Sequence, residues 1–133
     1  MSIELWSLCG AVFLGLVHVS AASFTFKAEV GNAYTVGARD EERRPTGTAG
    51  RLDRALRNFN ETFAAFAALA LMVEVTGCSG PWSRYGALMY LAGRTIYLPL
   101  YAAGVPWVRT FSWNLATLGL VLVMVQVVAF GLR

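Results

Sequence analysis

No charged residue stands between Leu5 and Phe26. At about 1.5 Å of rise per residue, an uncharged helix of that length covers the roughly 30 Å hydrocarbon core of a bilayer. Three more largely apolar stretches follow, at about 51–77, 82–103 and 107–132. Four such spans and their connections use nearly all of the 133 residues. Only 14% of the chain is charged, with a mean hydropathy of +0.53. A soluble domain carries about 25% charge. The expected fold is therefore all-α, an integral membrane four-helix bundle forming one domain over residues 1–133.

The punctuation between the runs supports this division. The chain starts Met-Ser-Ile-Glu4, without the basic segment of a signal peptide, so the first helix, about 5–26, is read as retained. Residues 27–50 hold Lys27, Glu29 and the run Arg39–Arg44 among several Gly and Pro breakers, and read as an aqueous loop. The Arg39–Arg44 run is most simply solvated; the alternative is that Arg39 or Asp40 folds back onto a polar site. Gly77-Cys78-Ser79-Gly80-Pro81 ends the second helix. Trp82 and Tyr85 suit an interfacial belt beside a snorkelling Arg84. Pro99 lies inside the third helix, and Gly104-Val105-Pro106 turns the chain. Lys27, Arg39, Arg43, Arg44, Arg51 and Arg54 flank the first loop, Arg84 the second, Arg109 the third, and Arg133 ends the chain. The positive-inside rule then places loops one and three in the cytoplasm and both termini in the periplasm.

Two polar ribbons break the apolar pattern. With about 100° per residue, Arg51, Arg54, Asn58 and Glu61 share an arc of about 80° on the second helix. Arg94, Tyr97 and Tyr101 share about 60° on the third. Arg109 and Thr110 open the fourth. All three segments converge at the cytoplasmic side. Ionisable groups at membrane depth are costly and read by default as functional. Glu61 paired with Arg54 and Arg94 would be a structural lock. Four arginines against Glu61, and at most Asp53, leave positive charge in excess, which asks for an anionic partner. Arginine forks suit carboxylates, Asn58 both donates and accepts, and an arginine beside a thiol favours the thiolate. A small peptide-like molecule with carboxylates at both ends fits such a set.

Other polar residues read as structural. His18 stands alone in the first helix, without ligand-spaced companions. Glu74 faces away from the ribbon, near the opposite interface. Gln126 suits an interhelical hydrogen bond. Cys9 and Cys78 define no framework and read as small apolar fillers; the four-span topology puts both near one membrane face, which leaves a disulfide open without showing one. Nothing has metal-site spacing, and the basic residues are too dispersed for nucleic-acid binding.

Arg51-x-x-Arg54-Ala-x-x-Asn58-x-x-Glu61 ahead of an apolar run resembles the second-helix motif of the MAPEG family, the membrane-associated proteins in eicosanoid and glutathione metabolism. Arg94-x-x-Tyr97-x-x-x-Tyr101 resembles its third-helix motif, and Arg109 stands where the family has an arginine early in its fourth helix. The chain looks most like the small bacterial members, hence a bacterial inner membrane. The resemblance implies a homotrimer with glutathione as co-substrate, bound between subunits near the cytoplasmic face. Arg51, Arg54, Asn58, Glu61, Arg94, Tyr97 and Tyr101 are its implied binding residues, and Arg109 its implied catalytic residue, stabilising the thiolate. The implied activity is transferase or peroxidase chemistry on an apolar electrophile or lipid hydroperoxide. Thr62 follows Glu61 where some members carry tyrosine, and Thr110 replaces the serine of one branch. The alternative is a non-catalytic accessory or lipid-binding membrane protein that keeps the scaffold.

Overall fold

The computed structural model describes residues 1–132; Arg133, counted in the charge asymmetry, lies outside them. The described residues form five helices: α1 (Ile3–Val30), α2 (Asn32–Val36), α3 (Gly47–Thr76), α4 (Pro81–Ala103) and α5 (Pro106–Gly131). Four are the long helices expected from the apolar runs. The additional α2 is a five-residue helix inside the segment read as a loop. Helix α1 also continues past Lys27, because a charge ends the apolar run without ending the hydrogen-bonded backbone. It stops at Gly31, whose φ of 87° is left-handed. Helix α3 starts at Gly47, four residues before Arg51, and closes at Gly77 with φ 65°, a left-handed cap that glycine adopts without Cβ strain.

By length and composition, α1, α3 and α5 can each cross a membrane. Helix α4 is 23 residues long but carries Arg84 and Arg94, which lower its mean hydropathy. Pro99 does not end it. The ring has no N–H to offer the Thr95 carbonyl one turn back, yet the helix runs on to Ala103. The outward faces are apolar, with Phe13, Leu16, Phe24, Trp107 and Phe111 among the most exposed side chains.

Small residues set the closest helix approach, between α4 and α5. A Cβ built on Gly119 would lie 2.5 Å from the Gly86 carbonyl oxygen and 2.6 Å from the Tyr90 nitrogen. One on Gly93 would lie 2.8 Å from both the Ser112 oxygen and the Ala116 nitrogen. Ser112 Oγ adds a hydrogen bond to the Gly93 carbonyl across the same seam. Backbone approach of this kind is how helices associate where lipid removes the hydrophobic drive. It fixes Tyr97 and Tyr101 on α4 beside Arg109 and Trp113 on α5. Helix α3 packs on α4 by stacking Phe66 on Tyr90 (centroids 4.0 Å apart) and on α1 by stacking Phe59 on His18 (4.6 Å).

The end of the bundle at the N-terminus is closed by polar bonds. Glu4 is fully buried, and its Oε1 accepts from Ser79 Oγ (2.9 Å) and Ser83 Oγ (2.5 Å). Ser2 Oγ donates to Glu74 (2.8 Å), and Gln126 Nε2 donates to the Cys78 carbonyl (3.0 Å). Glu74 and Gln126 thus tie helix ends together, Gln126 as expected and Glu74 with a bond the sequence did not suggest. Cys9 is exposed, Cys78 is buried and both are free thiols. His18 is fully buried and donates from Nδ1 to the Leu14 carbonyl (2.9 Å), the packing role its isolation implied.

Two stability predictions follow from these contacts. Gly119→Leu drives a side chain into the α4 backbone and is expected to cost about 3 kcal/mol, the upper end of overpacking penalties, read as a lower melting temperature in detergent. An unchanged melt would contradict the backbone-contact geometry. Glu4→Ala removes the acceptor of the buried Ser83 hydroxyl and of the Ser79 hydroxyl, so amide exchange over residues 3–10 is expected to accelerate while the α4–α5 seam stays protected.

Candidate functional site

Helical spacing builds the site. On α3, Thr62 falls within about 40° of Asn58, so the first ribbon extends by one residue. On α4, Tyr90 lies within about 60° of Arg94, Tyr97 and Tyr101, so the second ribbon begins a turn earlier than its charged member suggests. The two ribbons face each other. Arg94 Nη1 donates to Asn58 Oδ1 (2.7 Å), and Nη2 donates to Thr62 Oγ1 (2.5 Å). Thr62 also bonds the Tyr90 hydroxyl (3.2 Å). The Arg94 guanidinium lies 5.7 and 5.6 Å from the Tyr90 and Tyr97 ring centres, on their faces.

Arg94 is completely inaccessible to solvent. Its two partners are neutral oxygens, and its Nε has none. Among the described residues the ion pairs are Arg43–Glu41, Arg44–Glu42 and Arg57–Asp53. The pairing of Glu61 with Arg54 and Arg94 that would make a structural lock is therefore not formed. Glu61 instead accepts from Asn58 Nδ2 (3.2 Å), and the carboxylate of Asp53 is taken up by Arg57 one turn away (2.7 Å). An unpaired buried cation costs on the order of several kcal/mol, so this residue is held where it is at the expense of stability.

The other arginines gather at the same end. Arg54 Nε donates to the Tyr101 hydroxyl (3.3 Å). Arg109 stacks over the Tyr101 ring, 4.5 Å from its centre, and Tyr97 meets Tyr101 edge-on at 5.4 Å. Arg51 points elsewhere. Its Nε donates to the Ala102 carbonyl at the end of α4 (3.0 Å) and its Nη2 to Thr48 Oγ1 (3.0 Å). Arg51 thereby fastens the start of α3 to the last turn of α4, where Gly104 (φ 75°) turns the chain toward α5. Arg39 does not reach the site either; its guanidinium folds onto the Thr35 carbonyl of α2 (2.8 and 3.2 Å).

Two adjoining cavities result. One, of about 230 Å³, is lined by Asn58, Tyr97, Tyr101, Arg109, Thr110 and Trp113. The other, of about 530 Å³, is bounded by Arg44, Arg54, Arg57, Glu42 and Asp53 with Pro45 and Gly50. The Arg54–Tyr101 bond joins their walls. Of the residues expected from sequence, Asn58, Tyr97, Tyr101 and Arg109 line the first cavity and Arg54 the second. Arg94 stands behind Asn58, Glu61 beside it, and Arg51 braces the helix ends. Thr62, Tyr90 and Trp113 join the network without having been singled out. Tyr90 was legible from its i, i+4 spacing to Arg94; Trp113 follows Arg109 by the same interval.

Among the described residues, an all-helical chain with three membrane-capable helices and arginines gathered beside polar cavities defines a class, the integral membrane helix-bundle proteins. The sequence model of the MAPEG family matches residues 4–129, and the chain belongs to that family. Membership places it among membrane proteins with glutathione-related or eicosanoid-metabolism functions. No curated protein and no solved structure matches the chain.

The charge accounting makes a specific prediction. Arg94→Met keeps most of the side-chain volume and removes an unpaired buried charge. Without ligand, its stability in a detergent melt is expected to equal or exceed that of the parent, because apolar replacement of buried ions is often neutral or stabilising. A loss of several kcal/mol would mean that Arg94 has a counter-ion within the fold.

Proposed function

We propose that the protein is a glutathione-dependent transferase or peroxidase acting on an apolar electrophile or lipid hydroperoxide drawn from the bilayer. The observation that carries the reading is Arg94, a fully buried guanidinium that meets only neutral oxygens. The Arg44–Glu42 and Arg57–Asp53 pairs at the same end cancel internally, which leaves Arg94, Arg51, Arg54 and Arg109 as four cations against the carboxylate of Glu61. Glutathione carries two carboxylates and one ammonium. It supplies the missing anions, and Glu61 with Asn58 is suited to its ammonium. The two cavities on either side of the Arg54–Tyr101 bond together offer room for an extended tripeptide.

Arg54, Asn58, Glu61, Arg94, Tyr97 and Tyr101 bind the tripeptide in this reading, and Arg51 holds the wall formed by the end of α4. Arg109 faces the sulfur. Its charge stabilises the thiolate, the nucleophilic form. Attack on an electrophilic carbon forms the S–C bond as the leaving group departs with its electron pair. Attack on a hydroperoxide oxygen releases the alcohol and leaves a glutathione sulfenic acid, which a second glutathione resolves to the disulfide and water. The assembly is a homotrimer in which all four long helices, α4 included, cross the membrane, with a neighbouring subunit covering the outward side of the exposed Arg54 and Glu61. Positive charge around residues 27–54 orients the site to the cytoplasm and both termini to the periplasm, in a bacterial inner membrane.

Arg109→Ala tests the chemistry. The oligomer is expected to stay folded and to bind glutathione, while the thiolate absorbance at neutral pH disappears and turnover falls roughly tenfold or more as the thiol returns toward its ordinary pKa. Unchanged turnover would remove Arg109 from the mechanism. Absence of glutathione binding in the parent would favour the non-catalytic accessory reading.

A further inference from the structure

At the end of α1, on the same side of the bundle as the arginine cluster but lined by other residues, a further cleft combines charge and apolar surface. It measures about 300 Å³ and is lined by Ser23, Phe24, Phe26, Lys27, Thr35, Val36 and Arg39, with no carboxylate in its wall. Phe24 is 69% exposed and Val36 is 78% exposed, in a segment otherwise rich in charge. In water, two such side chains would gain nothing by lying open beside two cations. At a membrane interface the combination has a partner, because apolar groups meet acyl chains while cations meet phosphates.

The two cations are available. Neither Lys27 nor Arg39 forms an ion pair among the described residues. Glu29, the nearest acid on α1, is occupied by the amide and hydroxyl of Thr46. Asp40 is exposed. Arg39 is set in place by its own backbone. It is the one non-glycine residue with positive φ among those described (58°), a conformation that side chains rarely adopt, and its Nε and Nη2 both hold the Thr35 carbonyl. The loop behind it is braced by Tyr34. The Tyr34 ring meets Phe26 edge-on (6.1 Å), its hydroxyl donates to the Glu41 carbonyl (2.7 Å) and accepts from the Arg43 amide (3.0 Å), and Arg43 stacks on its face (4.9 Å). The depth also fits, since Lys27 is the first charge after the uncharged run Leu5–Phe26.

We propose that this cleft binds the headgroup of an anionic phospholipid, with the phosphate between Lys27 and Arg39 and the start of an acyl chain along Phe24 and Val36. The site fastens α2 and its loop to the leaflet on the arginine-rich side and does not depend on glutathione chemistry.

Native mass spectrometry of the detergent-purified protein tests it, with phosphatidylglycerol and phosphatidylcholine of identical acyl chains as probes. The glycerol lipid is expected to be retained preferentially. Lys27→Gln is expected to lower that retention about fivefold, the effect of one basic residue near an anionic surface. The Lys27 side chain makes no hydrogen bond or ion pair among the described residues, so this variant folds. Arg44→Gln removes a loop charge that pairs with Glu42 outside the cleft and is expected to leave retention unchanged. Equal retention of the two lipids by the parent, an unaffected Lys27→Gln variant, or an equal loss in Arg44→Gln would each overturn the proposal.

Discussion

A guanidinium sealed inside a membrane helix bundle without a counter-ion among the described residues is the constraint around which the rest of this structure is arranged. Arg94 is inaccessible, its nearest oxygens belong to Asn58 and Thr62, and its neighbours on α4 are aromatic faces. Each of these contacts is polar enough to hold the group in one geometry, and none cancels its charge. Glu61, one turn along α3, is engaged by Asn58 instead. The bundle thus keeps a standing positive potential at one place, at a cost that packing elsewhere must offset.

That offset comes from two features. One is the α4–α5 seam, where Gly86, Gly93 and Gly119 let backbone touch backbone and dispersion contacts are dense. The other is the bundle end at the N-terminus, where the buried Glu4 is bonded by Ser83 and Ser79 and Gln126 closes on Cys78. One end of the molecule is stapled and nearly satisfied; the other is cationic and open to a ligand. A rigid frame on one side and surplus positive charge on the other support the proposed anion site, which needs such preorganisation.

Much of this was legible in the sequence because it depends on periodicity. The uncharged run Leu5–Phe26 and the Gly-Pro punctuation located all four long helices, and the 100° step put Arg54 with Asn58 and Arg94 with Tyr97 and Tyr101 before any coordinates. Boundaries were less legible. Lys27 ends a hydrophobic run, while backbone hydrogen bonding ends only where Gly31 turns left-handed. The short α2 was hidden because its five residues carry no period of their own. Pairing was the least legible. Which carboxylate meets which guanidinium depends on rotamers and on neighbours far apart in the chain. A lock between Glu61 and Arg94 was one of two readings the sequence left open, and Glu4, whose partners lie 75 and 79 residues away, gave no sign of being buried.

The central claim is that the uncompensated arginines form a site for a dicarboxylate thiol peptide, and isothermal calorimetry of glutathione against the detergent-purified protein tests it most directly. The account predicts saturable binding at or below millimolar concentration, weakened by added salt as charge neutralisation requires and abolished in Arg94→Met. No heat at millimolar glutathione, or binding indifferent to both salt and Arg94, would contradict it.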